Sequence, residues 1–188
     1  RAGNIEKRDF MDQKGCIIVH TGDGKGKTTA ALGLALRAWG DGMRILILQF
    51  IKGGREYGEL VSIRKLCAID GRIELRQCGC GFSQRAGENP DQHVAAAKKA
   101  LWMARQEMES GKWDMLILDE INYAIKFGFL DETAVLELLK EKPEALHLVL
   151  TGRDARPAII AAADLVTEMK LVRHPYQQGI KAQRGIEF

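Results

Sequence analysis

Two groups of side chains in this sequence have the types and spacing to do chemistry. The first is Thr21-Gly22-Asp23-Gly24-Lys25-Gly26-Lys27-Thr28-Thr29, which follows the apolar run Cys16 to His20 and leads into the helical pattern Ala30-Ala31-Leu32-Gly33-Leu34-Ala35. Glycines at this density let the backbone bend until several N–H groups converge on phosphate oxygens, and the helix start adds partial positive charge. Lys27 then supplies a point charge to the phosphates, and the Thr28 hydroxyl a ligand for Mg²⁺. A turn that bound nothing would leave Lys25 and Lys27 repelling each other across Gly26. The loop is one residue shorter than G-x-x-x-x-G-K-[ST], since Thr21 stands five before Gly26 and the first glycine is Gly22.

The second group is Asp119-Glu120, closing the apolar run Met115 to Leu118. Carboxylates at such a strand end complete a Mg²⁺ shell beside a phosphate loop. Strand alternation sends neighbouring side chains to opposite faces, so both acids serve one metal only if the backbone is distorted. One is the metal partner; the other orients a group or acts as base.

These residues need a frame, and the hydrophobic pattern supplies one. Cys16 to His20, Ile45 to Phe50, Met115 to Leu118 and Leu146 to Leu150 are short apolar runs with the character of strands buried on both faces. Ile73 to Arg76 and Leu165 to Met169 are weaker candidates. Thr28 to Trp39, Asp91 to Glu109 and Asp131 to Glu141 carry apolar residues at helical spacing, with Gly40-Asp41-Gly42 and Pro143 as stops. The alternation predicts a three-layer α/β P-loop fold of the RecA type, its mostly parallel central sheet covered by helices on both faces. We expect one domain over residues 15–188, a flexible polar arm over 1–14, and a long functional loop from Gly79 to Asp91.

Composition narrows the partners. With 28 basic and 25 acidic residues the net charge is only +3, which gives no nucleic-acid footprint. The chain shows no secretory leader and no apolar run of membrane-spanning length, so a cytoplasmic location with Cys16, Cys67, Cys78 and Cys80 as thiols is expected. Cys78-Gly79-Cys80 with His93 lacks the paired spacing of a zinc site. His20 and His174 have no nucleophile partner in the spacing, and Trp39, Trp102 and Trp113 sit at packing positions.

Beyond these readings, the sequence resembles a known family. Gly22-Asp23-Gly24-Lys25-Gly26-Lys27-Thr28-Thr29-Ala30-Ala31, Gln49-Phe50-Ile51-Lys52-Gly53, Gly81-Phe82, Leu118-Asp119-Glu120, Thr151-Gly152-Arg153 and Gly179-Ile180-Lys181-Ala182-Gln183-Arg184-Gly185-Ile186-Glu187-Phe188 are similar, in order, to the ATP:cob(I)alamin adenosyltransferases of the P-loop type (the CobA/CobO/BtuR-like corrinoid adenosyltransferases). The resemblance implies a dimeric enzyme in which Co(I) of a corrinoid attacks the 5′ carbon of ATP and expels triphosphate, with ATP reversed relative to ordinary P-loop enzymes. It implies ATP contacts from Gly22, Asp23, Gly24, Lys25, Gly26, Lys27, Thr28, Thr29, Arg37 and Arg153, with Lys27, Thr28 and Glu120 as the catalytic set. Mg²⁺, with Mn²⁺ as a substitute, is then held by Thr28 and Glu120. Phe82 packs under the corrin, a reductase supplies Co(I), and an N-terminal segment folds over the corrinoid in relatives. Gln84 departs from the family, which commonly has tryptophan there.

The rival readings are a P-loop ATPase or small-molecule kinase forming ADP, an ATP-dependent corrinoid delivery module, and a RecA-like nucleic-acid motor, which the charge balance disfavours. The division of labour is testable: Phe82→Ala should damage corrinoid turnover and leave ATP binding largely intact, and equal loss of both in separate binding and turnover assays contradicts it.

Overall fold

The computed structural model describes residues 14–81 and 90–187. Most of the expected N-terminal arm, Phe82, Gln84 and most of the Gly79 to Asp91 loop therefore lie outside the described residues.

The chain runs β1 (Ile17–Thr21), α1 (Lys27–Gly40), β2 (Ile45–Gln49), α2 (Gly58–Asp70), β3 (Ile73–Gln77), α3 (Pro90–Glu109), β4 (Met115–Asp119), α4 (Ile121–Lys126), α5 (Glu132–Lys140), β5 (His147–Thr151), α6 (Pro157–Ala161), β6 (Leu165–Glu168) and a 3-10 turn at Pro175–Gln178. The strands form one six-stranded sheet in the order β3-β2-β4-β5-β1-β6, and every pairing is parallel. The four strongly apolar runs became the four interior strands, while the two weaker ones became the edges. Their burial follows: β2 is buried along its length, whereas all of β6 is exposed.

Strand alternation divides the core in two. Leu46, Leu48, Leu116, Leu118, Leu148 and Leu150 pack on the side covered by α3, α4, α5 and α6. Ile45, Ile47, Ile117 and Val149 face the other way, against Ala31, Ala35 and Ala38 of α1 and Ile63 of α2. Alanines at these positions let α1 lie close on the sheet, which brings its first turn over the strand ends. The helix stops where Gly42 takes φ 95. There the N–H of Gly42 donates to the Trp39 carbonyl and that of Met43 to Ala38, each at 3.0 Å.

Three helices escaped the sequence pattern for local reasons. In α2 only Leu60 and Ile63 are buried, so its apolar face is too thin to show as a period. Helices α4 and α6, with 6 and 5 residues, are shorter than any periodicity window.

The core assignment predicts a steep contrast between two leucines. Leu118, wholly buried, should lose roughly 3 kcal/mol on replacement by alanine. Leu165, 52% exposed on the edge, should lose under about 1 kcal/mol, both measured by denaturant unfolding.

Candidate active site

The site lies where the carboxyl ends of the strands meet the start of α1. Register places Gln77, Gln49 and Asp119 level on β3, β2 and β4, and Thr151, His20 and Thr167 level on β5, β1 and β6. Of these, His20, Gln49, Asp119 and Thr151 are buried. Gln49, Asp119 and Thr151 end their strands and His20 stands one residue before the end of β1, so the polar layer sits at one level beneath the loop.

Asp119 is the junction. Its Oδ1 accepts from the Thr28 hydroxyl and from the Thr151 hydroxyl, each at 2.7 Å, and its Oδ2 accepts from Gln49 Nε2 at 3.1 Å. Gln49 reaches on to Glu59 at 3.4 Å, and Glu59 accepts from Lys52 at 2.5 Å. Burial pushes the Glu59 carboxyl up, but the bonds from Lys52 and Gln49 outweigh this and hold it below its usual value.

Glu120 breaks the strand rule. Its backbone is left-handed at φ 63, ψ 22, and its N–H donates to Thr151 Oγ1 at 2.8 Å. A non-glycine residue pays strain for that conformation. The turn supplies the distortion that alternation required, and the Glu120 carboxyl lies within the electrostatic reach of Asp119, Lys27, Lys52 and Arg153. Burial first, then the Asp119 charge, raises its pKa to about 7 against the pull of the three cations.

In the loop, Lys27 is buried and its ammonium donates to the Gly22 and Gly24 carbonyls, each at 2.7 Å. Burial lowers its pKa, with Glu120 opposing the shift. Gly26 caps α1 at φ 110. Gly22 and Gly24 have a further constraint, because the chain after β6 passes against them. A Cβ on Gly22 would lie 2.5 Å from the Met169 carbonyl oxygen and one on Gly24 2.7 Å from that of Lys170. The Gly24 N–H donates to the Met169 carbonyl at 2.7 Å, and the Met169 N–H to Thr21 at 2.9 Å.

The structure thus gathers Gly22, Gly24, Gly26, Lys27, Thr28, Glu120 and Arg153 at one end of the sheet. Asp23, Lys25 and Thr29 lie on the exposed side of the loop and the first turn of α1, and Lys25 pairs with Glu187. Arg37 is not brought there: it is exposed in the last turn of α1, about 15 Å along the axis from Lys27. The donors available to a metal are hard oxygens, the Thr28 hydroxyl and the two neighbouring carboxylates, which suit Mg²⁺. Among the described residues no cluster of three or more His, Cys, Asp or Glu is placed to hold a metal.

Residues 13–188 match the family described as ATP:corrinoid adenosyltransferase BtuR/CobO/CobP. The chain belongs to the corrinoid adenosyltransferase family. It is 43% identical to a corrinoid adenosyltransferase of Sinorhizobium, over 94% of this chain and 82% of that protein. Against the corrinoid adenosyltransferase of Pseudomonas aeruginosa it is 39% identical over 94% and 85%, and against that of Escherichia coli K12 37% over 95% and 88%. Among solved structures it is similar in fold to a KaiC-like protein of Pyrococcus horikoshii (TM-score 0.53, 19% identity, covering 86% of this chain and 75% of that one). The flagellar accessory protein FlaH of Methanocaldococcus jannaschii gives 0.51 at 12% identity, covering 82% and 71%. The fold of this corrinoid adenosyltransferase family member is therefore the RecA-like P-loop type that its sequence implies.

Sequence reasoning gave no role to Gln49, Lys52, Glu59, Thr151 or Met169. A signal existed for three of them: Gln49, Lys52 and Thr151 lie in strings shared with the family, and Gln49 and Thr151 are polar residues terminating apolar strands. Glu59 and Met169 become relevant only through tertiary contact.

The junction predicts a specific sensitivity. Thr151→Val should cost about 2 kcal/mol, because it leaves the buried Asp119 short of a donor and the Glu120 N–H without its acceptor. Thr151→Ser should recover most of that loss in the same denaturant titration.

Proposed function

We propose that this protein transfers the 5′-deoxyadenosyl group of ATP to Co(I) of cobalamin or a precursor corrinoid, releasing intact triphosphate. Family membership supports the reaction class. The observation that carries the reading is the 2.7 Å bond from Thr28 to Asp119, which joins the phosphate loop to the acidic strand end.

The electron balance is simple. The cobalt lone pair forms the Co–C bond as the bond from the 5′ carbon to oxygen breaks, and the electron pair of that bond leaves on the triphosphate. No proton moves, so no general base is required; the protein must align the reactants and neutralise the leaving group. Lys27, with Lys25 and Arg153, serves that charge, and the glycines give the phosphates access to backbone. Mg²⁺, or Mn²⁺ in its place, would be held by Thr28 and Glu120 and adds charge neutralisation at the leaving triphosphate. Glu120 suits this role because its carboxyl, half-buried beside Asp119, gains from a nearby cation.

The remaining features belong to the same proposal. ATP lies reversed on the loop, Phe82 packs under the corrin, and a reductase supplies Co(I). The enzyme works as a homodimer in the cytoplasm, without nucleic acid or membrane. The edge strand β6 supports self-association: Leu165 is 52% and Val166 37% exposed in the single chain. Among the described residues no helix is long and apolar enough to cross a membrane.

Anaerobic incubation with ATP, Mg²⁺ and chemically reduced cobalamin should yield adenosylcobalamin and triphosphate in equal amounts. ADP with unmodified corrinoid would point to an ordinary ATPase instead. Lys27→Ala should lower turnover at least about 100-fold, the scale expected when a preorganised charge at a leaving group is lost.

A further inference from the structure

Both lysines of the phosphate loop are engaged by acceptors of the chain itself, but the acceptors differ in kind. Lys27 donates to Gly22 and Gly24, carbonyls of the loop it belongs to. Lys25 pairs with Glu187, 162 residues further along. The Glu187 side chain is only 11% exposed, against 49% for Lys25, although its neighbour Ile186 is 80% exposed. The carboxylate is thus tucked toward the loop while the segment around it lies in solvent.

The backbone N–H groups of Ile186 and Glu187 donate to Gln183 within that segment. Arg184 and Gly185 line a small cavity with Glu56, Tyr57, Gly58 and Val61 at the start of α2. Beside that start, Lys52 lies 5.0 Å over the Tyr57 ring and pairs with Glu59, the outer end of the Asp119 network. Residues 184–187 therefore run between the start of α2, at Arg184 and Gly185, and the phosphate loop, at Glu187.

A carboxylate on a loop lysine occupies a cation that a phosphate oxygen would otherwise take. A bound polyphosphate sets several negative charges beside Glu187, so the two anions compete for one ammonium. We infer that Glu187 is an internal competitor of the polyphosphate at Lys25, so that filling the phosphate loop releases residues 184–187 from it. This rests on the reading of the loop as a triphosphate site. The effect is modest, because a partly exposed ion pair is a weak competitor.

The test uses the full chain with inorganic tripolyphosphate and Mg²⁺, followed by calorimetry and by trypsin cleavage after Arg184 read by intact mass. Tripolyphosphate should accelerate cleavage in the wild type. Glu187→Gln should be cleaved quickly without ligand and should bind tripolyphosphate roughly two- to fivefold more tightly, the tax of the competing state being removed. Lys25→Ala should be cleaved quickly whether or not tripolyphosphate is present. Wild type that binds tripolyphosphate while cleavage and the Glu187→Gln affinity stay unchanged would overturn the competition and leave the loop reading standing. Absence of tripolyphosphate binding by the wild type would overturn both.

Discussion

The carboxylate of Asp119 is where sheet, loop and helix are joined. A buried negative charge survives only if its lone pairs are filled, and three donors fill them, each from a different element: Thr28 at the start of α1, Thr151 at the end of β5 and Gln49 at the end of β2. Each bond fixes the placement of its element relative to β4, so the first turn of α1 is held over the strand ends by the same group that satisfies the sheet. Thr151 extends the constraint by one residue, because its oxygen also accepts the Glu120 N–H at 2.8 Å. The left-handed turn at Glu120 is thereby held in place, and with it the second acid beside the first.

That arrangement depends on the cores beneath it. A parallel sheet covered on both faces leaves its strand ends as the place where polar side chains can emerge without disrupting packing. Here the face toward α1 is apolar through Ile45, Ile47, Ile117 and Val149, then turns polar at Gln49, Asp119 and Thr151. One step of alternation separates the two characters, and the alanine face of α1 brings the helix down onto that step. Bulkier residues at Ala31 or Ala35 would lift the helix and open the gap between Thr28 and Asp119.

Much of this was legible in the sequence because the signals were local. The four interior strands announced themselves as unbroken apolar runs, since burial on both faces leaves no room for polar alternation, and the edges were fainter because they are half covered or bare. The loop lysine, the threonine and the acidic pair were identifiable from type and spacing. What stayed hidden depended on contacts across the fold. Glu59 joins the network only because α2, itself nearly invisible in the pattern, sets it against Lys52. Arg37, an ATP contact by the resemblance, sits at the far end of its helix, since a 14-residue helix separates its two ends by several turns.

The shortness of the loop has its own physical setting. Glycine at positions 22 and 24 would ordinarily be credited to phosphate alone, but here the chain leaving β6 presses on both, and the Gly24 N–H is committed to Met169. A loop packed from behind in this way is held by the sheet edge as well as by its flanking strand and helix. With one N–H already committed, fewer backbone donors of the loop are left over, and the side chains of Lys25, Lys27 and Arg153 supply positive charge beside it.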